Sequence, residues 1–125
     1  MVLDTNVLSA FADGRPVAVA AVNTAGIVAL PVIVLGEYRF GIAQSARRHE
    51  YEQFLDRLMP MSRVLDVTIE TTLWYASLRL DLKRAGTPIP ANDLWIAALC
   101  RQHGQPILSR DQHFDAVPGL QRIPW

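Results

Sequence analysis

The arrangement of apolar residues along the chain constrains its fold more than any other feature. Short strand-like runs alternate with longer segments in which apolar residues recur at helical spacing. Such alternation is typical of a parallel β-sheet with helices packed against it. The sequence therefore predicts an α/β fold, with strands at Val2–Leu3, Ile27–Leu30, Arg63–Val67 and Pro106–Ser109 and a fifth strand candidate at Leu120–Ile123.

The helical segments are bounded by residues that start or end helices. Thr5 and Asn6 are predicted to cap the first helix, and Pro16 to open the second. Consecutive apolar residues over Leu94–Cys100 predict a last helix that is central and buried, with Asn92 as its cap. The other predicted helices cover Thr5–Ala12, Ile33–Ala43, Arg47–Met59, Ile69–Ala85 and Asp93–His103, in addition to the second helix that Pro16 opens.

Composition limits the classes of protein to which a chain of 125 residues can belong. Half of the residues are apolar, so the chain can bury a core, and its length is typical of a single domain spanning residues 1–125. The single cysteine, Cys100, excludes an internal disulfide framework and a cysteine-rich zinc site. No apolar stretch reaches the roughly 18 residues that a membrane span needs. These features predict a soluble, cytoplasmic protein.

Two acidic residues directly follow predicted strands. Asp4 comes after the first strand, and Asp111 comes shortly after the fourth. The carboxyl ends of parallel strands form the ligand-binding crevice of an open α/β sheet. Each residue also has a purely structural interpretation, since Asp4 can cap the following helix and Asp111 can stabilise a turn.

Two further acidic residues occupy unusual positions on helices. Glu37 lies in mid-helix, and its neighbours one turn away are apolar or glycine. A carboxylate there is costly unless it is paired, protonated or bound to a metal, and the nearby Gly36 and Gly41 indicate close approach by another group. The alternative is an ion pair with Arg39 or another arginine. Asp93 begins the most apolar helix, where it is either a first-turn acid favoured by the helix dipole or free to point elsewhere.

Together, the four acidic residues are more informative than any one of them. Four carboxylates within a few ångströms of one another cannot all ionise without a cation, and all-oxygen ligands suit Mg²⁺ or Mn²⁺. Such a site is equipped for metal-assisted hydrolysis of a phosphodiester. The net charge is zero, but the chain carries 12 basic and 8 acidic residues once these four are set aside, an excess that suits an RNA or DNA backbone. Arg110, beside Asp111, is a candidate for holding phosphate or for a structural salt bridge.

Several segments of the chain resemble, in order, the motifs of the PIN domain family. The opening Val2–Leu8 is similar to the start of a PIN domain, and it is followed in the expected order by Leu35–Glu37, Pro90–Ala98, Leu108–Phe114, Val117–Leu120 and Pro124–Trp125. The resemblance covers the whole chain and is greatest to the small bacterial ribonuclease toxins of VapBC toxin–antitoxin pairs. It implies a PIN fold, in which a parallel sheet of four or five strands is sandwiched between helices.

The resemblance also implies an activity and partners. It implies a metal-dependent endoribonuclease that uses Mg²⁺ or Mn²⁺, acts on RNA, forms a homodimer and is inhibited by a cognate VapB-like antitoxin. Carried over by position, the residues that bind the metal and carry out catalysis are Asp4, Glu37, Asp93 and Asp111. Residues that would orient those acids are Thr5, Asn6 and Ser109, and Asp115 is the alternative to Asp111 as the fourth acid.

Two other functions remain open on the sequence. One is a PIN-like scaffold that binds RNA or protein without catalysis, but such a scaffold would be expected to have lost some of the acids. The other is a phosphatase similar to the haloacid dehalogenases, with Asp4 as covalent nucleophile. That family needs a second aspartate where Asn6 stands and a lysine before the last acids, whereas Lys83 lies in a different helix. His113, two residues after Asp111, is interpreted as a turn histidine rather than a phosphate contact.

Overall fold

A five-stranded parallel sheet forms the centre of the structure, a computed structural model that describes residues 1–125. The strands lie in the order β3-β2-β1-β4-β5, and every neighbouring pair is parallel. They are short: β1 spans Val2–Leu3, β2 Ala29–Pro31, β3 Arg63–Leu65, β4 Ile107–Leu108 and β5 Arg122–Ile123. The predicted α/β class, the parallel sheet and all five strands are confirmed.

Six α-helices connect and cover these strands. They are α1 (Thr5–Ala12), α2 (Pro16–Thr24), α3 (Val32–Ile42), α4 (Arg48–Leu58), α5 (Ile69–Arg84) and α6 (Ala91–Gln102), and short 3₁₀ helices cover Met59–Met61 and Gln112–Ala116. Gly86 and Gly104 follow α5 and α6 with φ of 71° and 62°, a left-handed conformation that glycine adopts without steric cost. None of the helices combines the length and the apolar character that a bilayer crossing requires.

The structure corrects two predicted helix caps. The carboxylate of Asp4, rather than Thr5 or Asn6, caps α1, because its Oδ1 accepts a hydrogen bond from the Thr5 N–H at 2.8 Å. Asn92 does not cap α6, because that helix begins before it, directly after Pro90. Pro90 holds extended backbone at the start of the helix, so the first turn already contains Asn92.

Three strand boundaries differ from the prediction by two residues, and the ends of β4 and the end of β2 differ by one. β2 begins two residues after Ile27, which is 72% exposed, while β3 ends two residues before Val67 and β5 begins two residues after Leu120. Each of these boundaries coincides with the limit of pairing between neighbouring strands. β2 and β3 are paired over three residues, and β4 and β5 over two. Strand length is set by the neighbouring strand, about which the local sequence holds no information.

One hydrophobic core packs the helices against the sheet. α6 contributes the longest buried run, as predicted, because Ile96–Cys100 is fully buried. Burial of each large aliphatic side chain stabilises the fold by roughly 1.5–3 kcal/mol. The packing of α6 therefore holds Asp93, in its first turn, at a fixed position relative to the sheet.

The pairing of β1 with β4 determines where the candidate site lies. Leu3 pairs with Leu108, so Asp4 and Ser109 follow at the same edge of the sheet. The Asp4 N–H donates to the Leu108 carbonyl at 3.2 Å and continues the ladder by one residue. The carboxyl ends of these two strands therefore form the crevice expected of an open parallel sheet.

Candidate metal centre

Asp4 lies at the centre of the site and is almost fully buried, with 5% of its surface exposed. Its Oδ1 accepts from the Thr5 N–H at 2.8 Å, and its Oδ2 accepts from the Ser109 hydroxyl at 2.6 Å and from Nδ2 of Asn6 at 3.0 Å. Burial raises the pKa of Asp4; the three hydrogen bonds oppose this shift, and the carboxylate of Asp111 adds to it. The side chain is thus held in one orientation, in surroundings that disfavour its charge.

Asn6 links Asp4 to a residue 119 positions further along the chain. Its Nδ2 also lies 3.2 Å from Oγ of Ser109, and its Oδ1 accepts from the indole Nε1 of Trp125 at 3.1 Å. Because the indole N–H can only donate, it turns the amide oxygen of Asn6 toward Trp125 and the amide nitrogen toward Asp4. Asn6 and Ser109 therefore contact Asp4 as an orienting role requires, whereas Thr5 contributes its backbone N–H and has a buried Oγ1 without a partner.

Glu37 projects from α3 with a buried oxygen, Oε1, that has no hydrogen-bond partner. Burial raises the pKa of Glu37, and the charge of Asp4 raises it further. The predicted alternative, an ion pair with Arg39 or another arginine, is wrong because Glu37 forms none. The expected close approach at Gly36 and Gly41 is also wrong, since a Cβ at either position would meet no other part of the chain within 4 Å.

Asp93, Asp111 and His113 form the outer part of the site. Nδ1 of His113 lies 3.0 Å from Oδ2 of Asp93 and 3.1 Å from Oδ1 of Asp111. The same Asp111 oxygen accepts from the His113 N–H at 2.9 Å and so caps the 3₁₀ helix Gln112–Ala116. Burial raises the pKa of Asp93, and the hydrogen bond with His113 opposes that shift. One potential ligand atom from each of the three residues lies within 4.8 Å of the others, a spacing that can hold a metal ion.

The four predicted acids lie around the same edge of the sheet, but the group with metal-ligand spacing consists of Asp93, Asp111 and His113 and includes neither Asp4 nor Glu37. The charge of Asp4 raises the pKa values of both Glu37 and Asp93, and the charge of Asp111 raises those of Asp4 and Asp93. Direct contacts connect three of these acids, because the Ser109 hydroxyl donates to Asp4 and accepts from the Asp111 N–H, while Nδ1 of His113 lies against both Asp111 and Asp93. β1, α3, α6 and the turn after β4 therefore direct one carboxylate each toward the same edge of the sheet.

Asp115 lies outside the acidic group, and Arg110 lies beside it without the predicted salt bridge to an acidic side chain. The side chain of Asp115, the alternative fourth acid, is 52% exposed and forms a bidentate ion pair with Arg122 at 2.7 and 2.9 Å, which lowers the pKa of Asp115. Arg110 forms no salt bridge, so that interpretation is wrong. Instead, its guanidinium packs over the ring of Trp125, with Cζ 3.6 Å from the ring centroid, and its Nε donates to the Trp125 carbonyl at 3.2 Å.

The sequence interpretation gave two residues of the site no role beside the acids. His113 is predicted to be a turn histidine, and only its position two residues after a strand-end aspartate could have indicated a role beside the acids. Trp125 has no predicted role in the site. No local signal could have indicated one, because its partner Asn6 lies at the other end of the chain.

The donor set fits a hard divalent cation. The cluster offers carboxylate oxygens, which are the ligands that Mg²⁺ and Mn²⁺ prefer. Two further buried oxygens, Oε1 of Glu37 and Oγ1 of Thr5, form no well-aligned hydrogen bond, although the Thr5 hydroxyl lies near enough to the Glu37 carboxylate to oppose the rise in its pKa. Because buried polar atoms normally have a hydrogen-bond or metal partner, these orphaned oxygens are explained if an ion and its water ligands are part of the site.

The raised pKa values of Asp4, Glu37 and Asp93 predict how pH affects the stability of the metal-free protein. Unfolding returns them to ordinary values of 3.8 for aspartate and 4.5 for glutamate, so the folded state binds more protons. We therefore expect the free energy of unfolding, measured with urea in EDTA, to fall as pH rises from about 4.5 to 7. The pKa of His113 is raised as well, so this residue also lowers the free energy of unfolding as pH rises. A flat profile would contradict this, and excess Mn²⁺ should reverse the slope because the ion binds deprotonated carboxylates.

Matched substitutions of Asp111 and Asp115 identify the fourth acid. Asp111→Asn is expected to weaken Mn²⁺ binding by about tenfold or more, because it removes a ligand charge from the cluster. Asp115→Asn should change the affinity by less than about twofold, since that carboxylate is paired with Arg122 outside the cluster. Isothermal titration with Mn²⁺ measures both, and the opposite ranking would assign the role to Asp115.

The fold and the acidic cluster together define a class of protein. It is an α/β domain in which a five-stranded parallel sheet carries carboxylates beyond the ends of its two central strands, while two helices supply two more at the same edge. Residues 1–120 match the family model described as PIN domain. The chain belongs to the PIN domain family.

Individual proteins are also similar to this chain over nearly its whole length. Ribonuclease VapC5 of Mycobacterium tuberculosis is 32% identical over 124 residues, which cover 98% of this chain and 90% of that protein. A crystal structure of VapBC-5 from M. tuberculosis, a member of the VapBC family of toxin–antitoxin systems, is similar with a TM-score of 0.75 and 29% identity over 99% of this chain and 97% of that one. VapBC2 of Rickettsia felis, solved bound to a DNA fragment from its promoter, shares the fold with a TM-score of 0.88 and 23% identity over 99% and 97% of the two chains.

Proposed function

We propose that residues 1–125 form a single PIN domain and act as a metal-dependent endoribonuclease, the toxin of a type II toxin–antitoxin pair. The observation that carries the proposal is the acidic group at the carboxyl edge of the sheet, where Asp93 and Asp111 lie at metal-ligand spacing and Ser109 connects Asp111 to the buried carboxylate of Asp4. The relative named Ribonuclease VapC5, which matches nearly the whole chain, supports RNA as the substrate. All four acids are present, which disfavours a non-catalytic scaffold, and membership of the PIN family disfavours the dehalogenase-like phosphatase.

The four acids would hold Mg²⁺ or Mn²⁺, which supplies positive charge for the phosphate and the leaving oxygen of the RNA. Asp4 is ready to act as the central ligand, because Ser109, Asn6 and the Thr5 N–H fix its orientation. A ligand held in this way loses little conformational freedom when an ion binds.

Glu37 is the carboxylate best suited to accept the proton of the attacking water. Its Oε1 is buried and accepts no well-aligned hydrogen bond, unlike both oxygens of Asp4, although the Thr5 hydroxyl lies near the carboxylate and opposes the rise in its pKa. Its pKa is raised, mainly by burial, which makes it a stronger base than an ordinary glutamate. We therefore assign proton transfer at Oε1 to Glu37, and orientation of the metal ligands to Ser109 and Asn6.

Arg110 is placed to hold the RNA backbone beside the acids. Its guanidinium stacks on Trp125, pairs with no Asp or Glu side chain and uses Nε on the main-chain oxygen of Trp125, so its two terminal nitrogens keep donors free for a phosphate. Its backbone N–H lies 3.4 Å from Oδ1 of Asn6, which connects it to the network around Asp4. We propose Arg110 as a phosphate contact that positions the strand for cleavage.

We propose a cognate VapB-like antitoxin and a second copy of the chain as protein partners, acting in the cytoplasm. The similarity to a VapBC-family structure supports the antitoxin. Large apolar side chains support protein contacts in general, because Phe40, Ile69 and Leu73 are 81%, 89% and 70% exposed. Ile69 and Leu73 are one turn apart on α5, and adjacent exposed apolar side chains of this kind are typical of a protein contact.

Cleavage of total bacterial RNA by the purified protein tests the proposed function. Discrete fragments are expected with Mg²⁺ or Mn²⁺ and none with EDTA. Asp93→Asn should lose the activity, and Asp115→Asn is the matched control that should keep it, because only Asp93 belongs to the cluster. Cleavage that continues in EDTA, or in Asp93→Asn at the wild-type rate, would overturn the metal-dependent mechanism.

A further inference from the structure

We infer that His113 is a nitrogen ligand of the metal site and that it makes the site bind Mn²⁺ more tightly than Mg²⁺. The inference rests on the proposed function, because it concerns the ion that the acidic cluster would hold. It adds an imidazole to a site whose other candidate ligands are all carboxylates.

The separations around His113 are those of neighbouring ligands on one ion. Nδ1 lies 3.0 Å from Oδ2 of Asp93 and 3.1 Å from Oδ1 of Asp111. Two ligands that bind an octahedral ion at right angles with bonds of about 2.1 Å are about 3.0 Å apart. The imidazole nitrogen therefore occupies a position from which it can share an ion with both carboxylates.

The backbone holds the histidine in this position. The His113 N–H donates to Asp111 at 2.9 Å, in the first turn of the 3₁₀ helix Gln112–Ala116. The next residue, Phe114, is fully buried and anchors that helix in the core. The ring itself is 52% exposed, so an ion can reach Nδ1 from solvent without rearrangement of the chain.

The chemistry of a mixed nitrogen and oxygen donor set favours a transition-metal ion. Mg²⁺ prefers oxygen ligands and gains little from an imidazole, whereas affinity for nitrogen ligands rises along the first-row divalent metals, beginning with Mn²⁺. Replacement of His113 should therefore weaken Mn²⁺ binding much more than Mg²⁺ binding. If His113 instead only donates hydrogen bonds to the two acids, its removal should change the affinity for both ions alike.

Pulsed EPR of the Mn²⁺-loaded full-length protein tests the inference directly. The wild-type protein is expected to show ¹⁴N coupling, and selective ¹⁵N-histidine labelling should convert it to a ¹⁵N pattern without any substitution. His113→Gln should abolish the coupling, whereas His49→Gln, which alters an exposed histidine on α4, should preserve it. Isothermal titration should show Mn²⁺ affinity reduced about tenfold in His113→Gln and Mg²⁺ affinity changed by less than about threefold.

The outcomes separate failure of this inference from failure of the proposed function. Mn²⁺ that binds through Asp93 and Asp111 but shows no histidine coupling would overturn the role of His113 and leave the proposed nuclease intact. A protein that binds neither ion would overturn both. Equal loss of Mn²⁺ and Mg²⁺ affinity in a folded His113→Gln variant would also contradict the inference.

Discussion

Asp4→Asn is expected to reduce RNA cleavage by about 1000-fold or more, equivalent to about 4 kcal/mol in the activation barrier. Asp4 lies at the centre of the cluster, and three hydrogen bonds hold its carboxylate in place. Asparagine keeps the shape of the side chain but removes the charge that attracts the ion. The measurement is the single-turnover cleavage rate at saturating Mn²⁺.

The same substitution is expected to leave the fold intact. Asparagine is as good a helix cap as aspartate, so α1 keeps its N-terminal acceptor. Burial disfavours the charge of Asp4, but the amide Nδ2 of asparagine cannot accept from Ser109 and Asn6 as Oδ2 does, so the metal-free variant should melt close to the wild-type temperature. Asp4→Ala is the control for the cap, whose loss costs about 1 kcal/mol. An Asp4→Asn variant that unfolds, or that cleaves RNA within tenfold of the wild-type rate, would show that Asp4 is mainly structural.

Saturating Mn²⁺ or Mg²⁺ is expected to raise the melting temperature by roughly 10 °C. An ion present at 100 times its dissociation constant stabilises the folded state by about 2.7 kcal/mol, and in a domain of this size each kcal/mol corresponds to roughly 3–5 °C. The acids strengthen the effect, because burial and, to a lesser extent, mutual repulsion disfavour their charges in the metal-free state, as their raised pKa values indicate. Differential scanning fluorimetry with and without the ion measures it.

Substitutions in and near the cluster control for binding elsewhere on the surface. Asp93→Asn should lose most of the rise in melting temperature, and EDTA should reverse it in the wild-type protein. Asp115→Asn should keep it, because Asp115 is paired with Arg122 away from the cluster. An unchanged melting temperature at millimolar ion, or an equal rise in Asp93→Asn, would contradict a metal site built from these acids.

The predictable part of the molecule is the part encoded by local pattern. Alternating strand-like and helical segments predict the parallel sheet, and the run Leu94–Cys100 predicts the buried helix α6. Asp4 stands out because it follows a strand directly. Once the sheet is parallel, Asp4 and Ser109 must meet at one edge, since β1 and β4 are neighbours. The location of the site is therefore predictable from the sequence, whereas its geometry is not.

The remaining features depend on contacts between distant parts of the chain. The orientation of Asn6 depends on Trp125, and the unpartnered oxygen of Glu37 depends on how α3 packs beside β1. The position of His113 depends on how Asp111 caps a 3₁₀ helix, a short element with little periodicity of its own. The cap of α6 was mispredicted because Asn92 has the chemistry of a cap, while Pro90 determines where the helix begins.

The most direct test of the central claim compares metal occupancy with cleavage in one titration. Mn²⁺ is added stepwise to the metal-free protein, bound ion is measured by EPR, and the initial rate of RNA cleavage is measured in parallel at each concentration. We predict that the rate follows the fraction of protein with bound Mn²⁺, and that Asp4→Asn loses both signals. Cleavage without bound ion, or a fully occupied site that cuts no RNA, would contradict the account of a carboxylate-held metal ion as the catalytic centre.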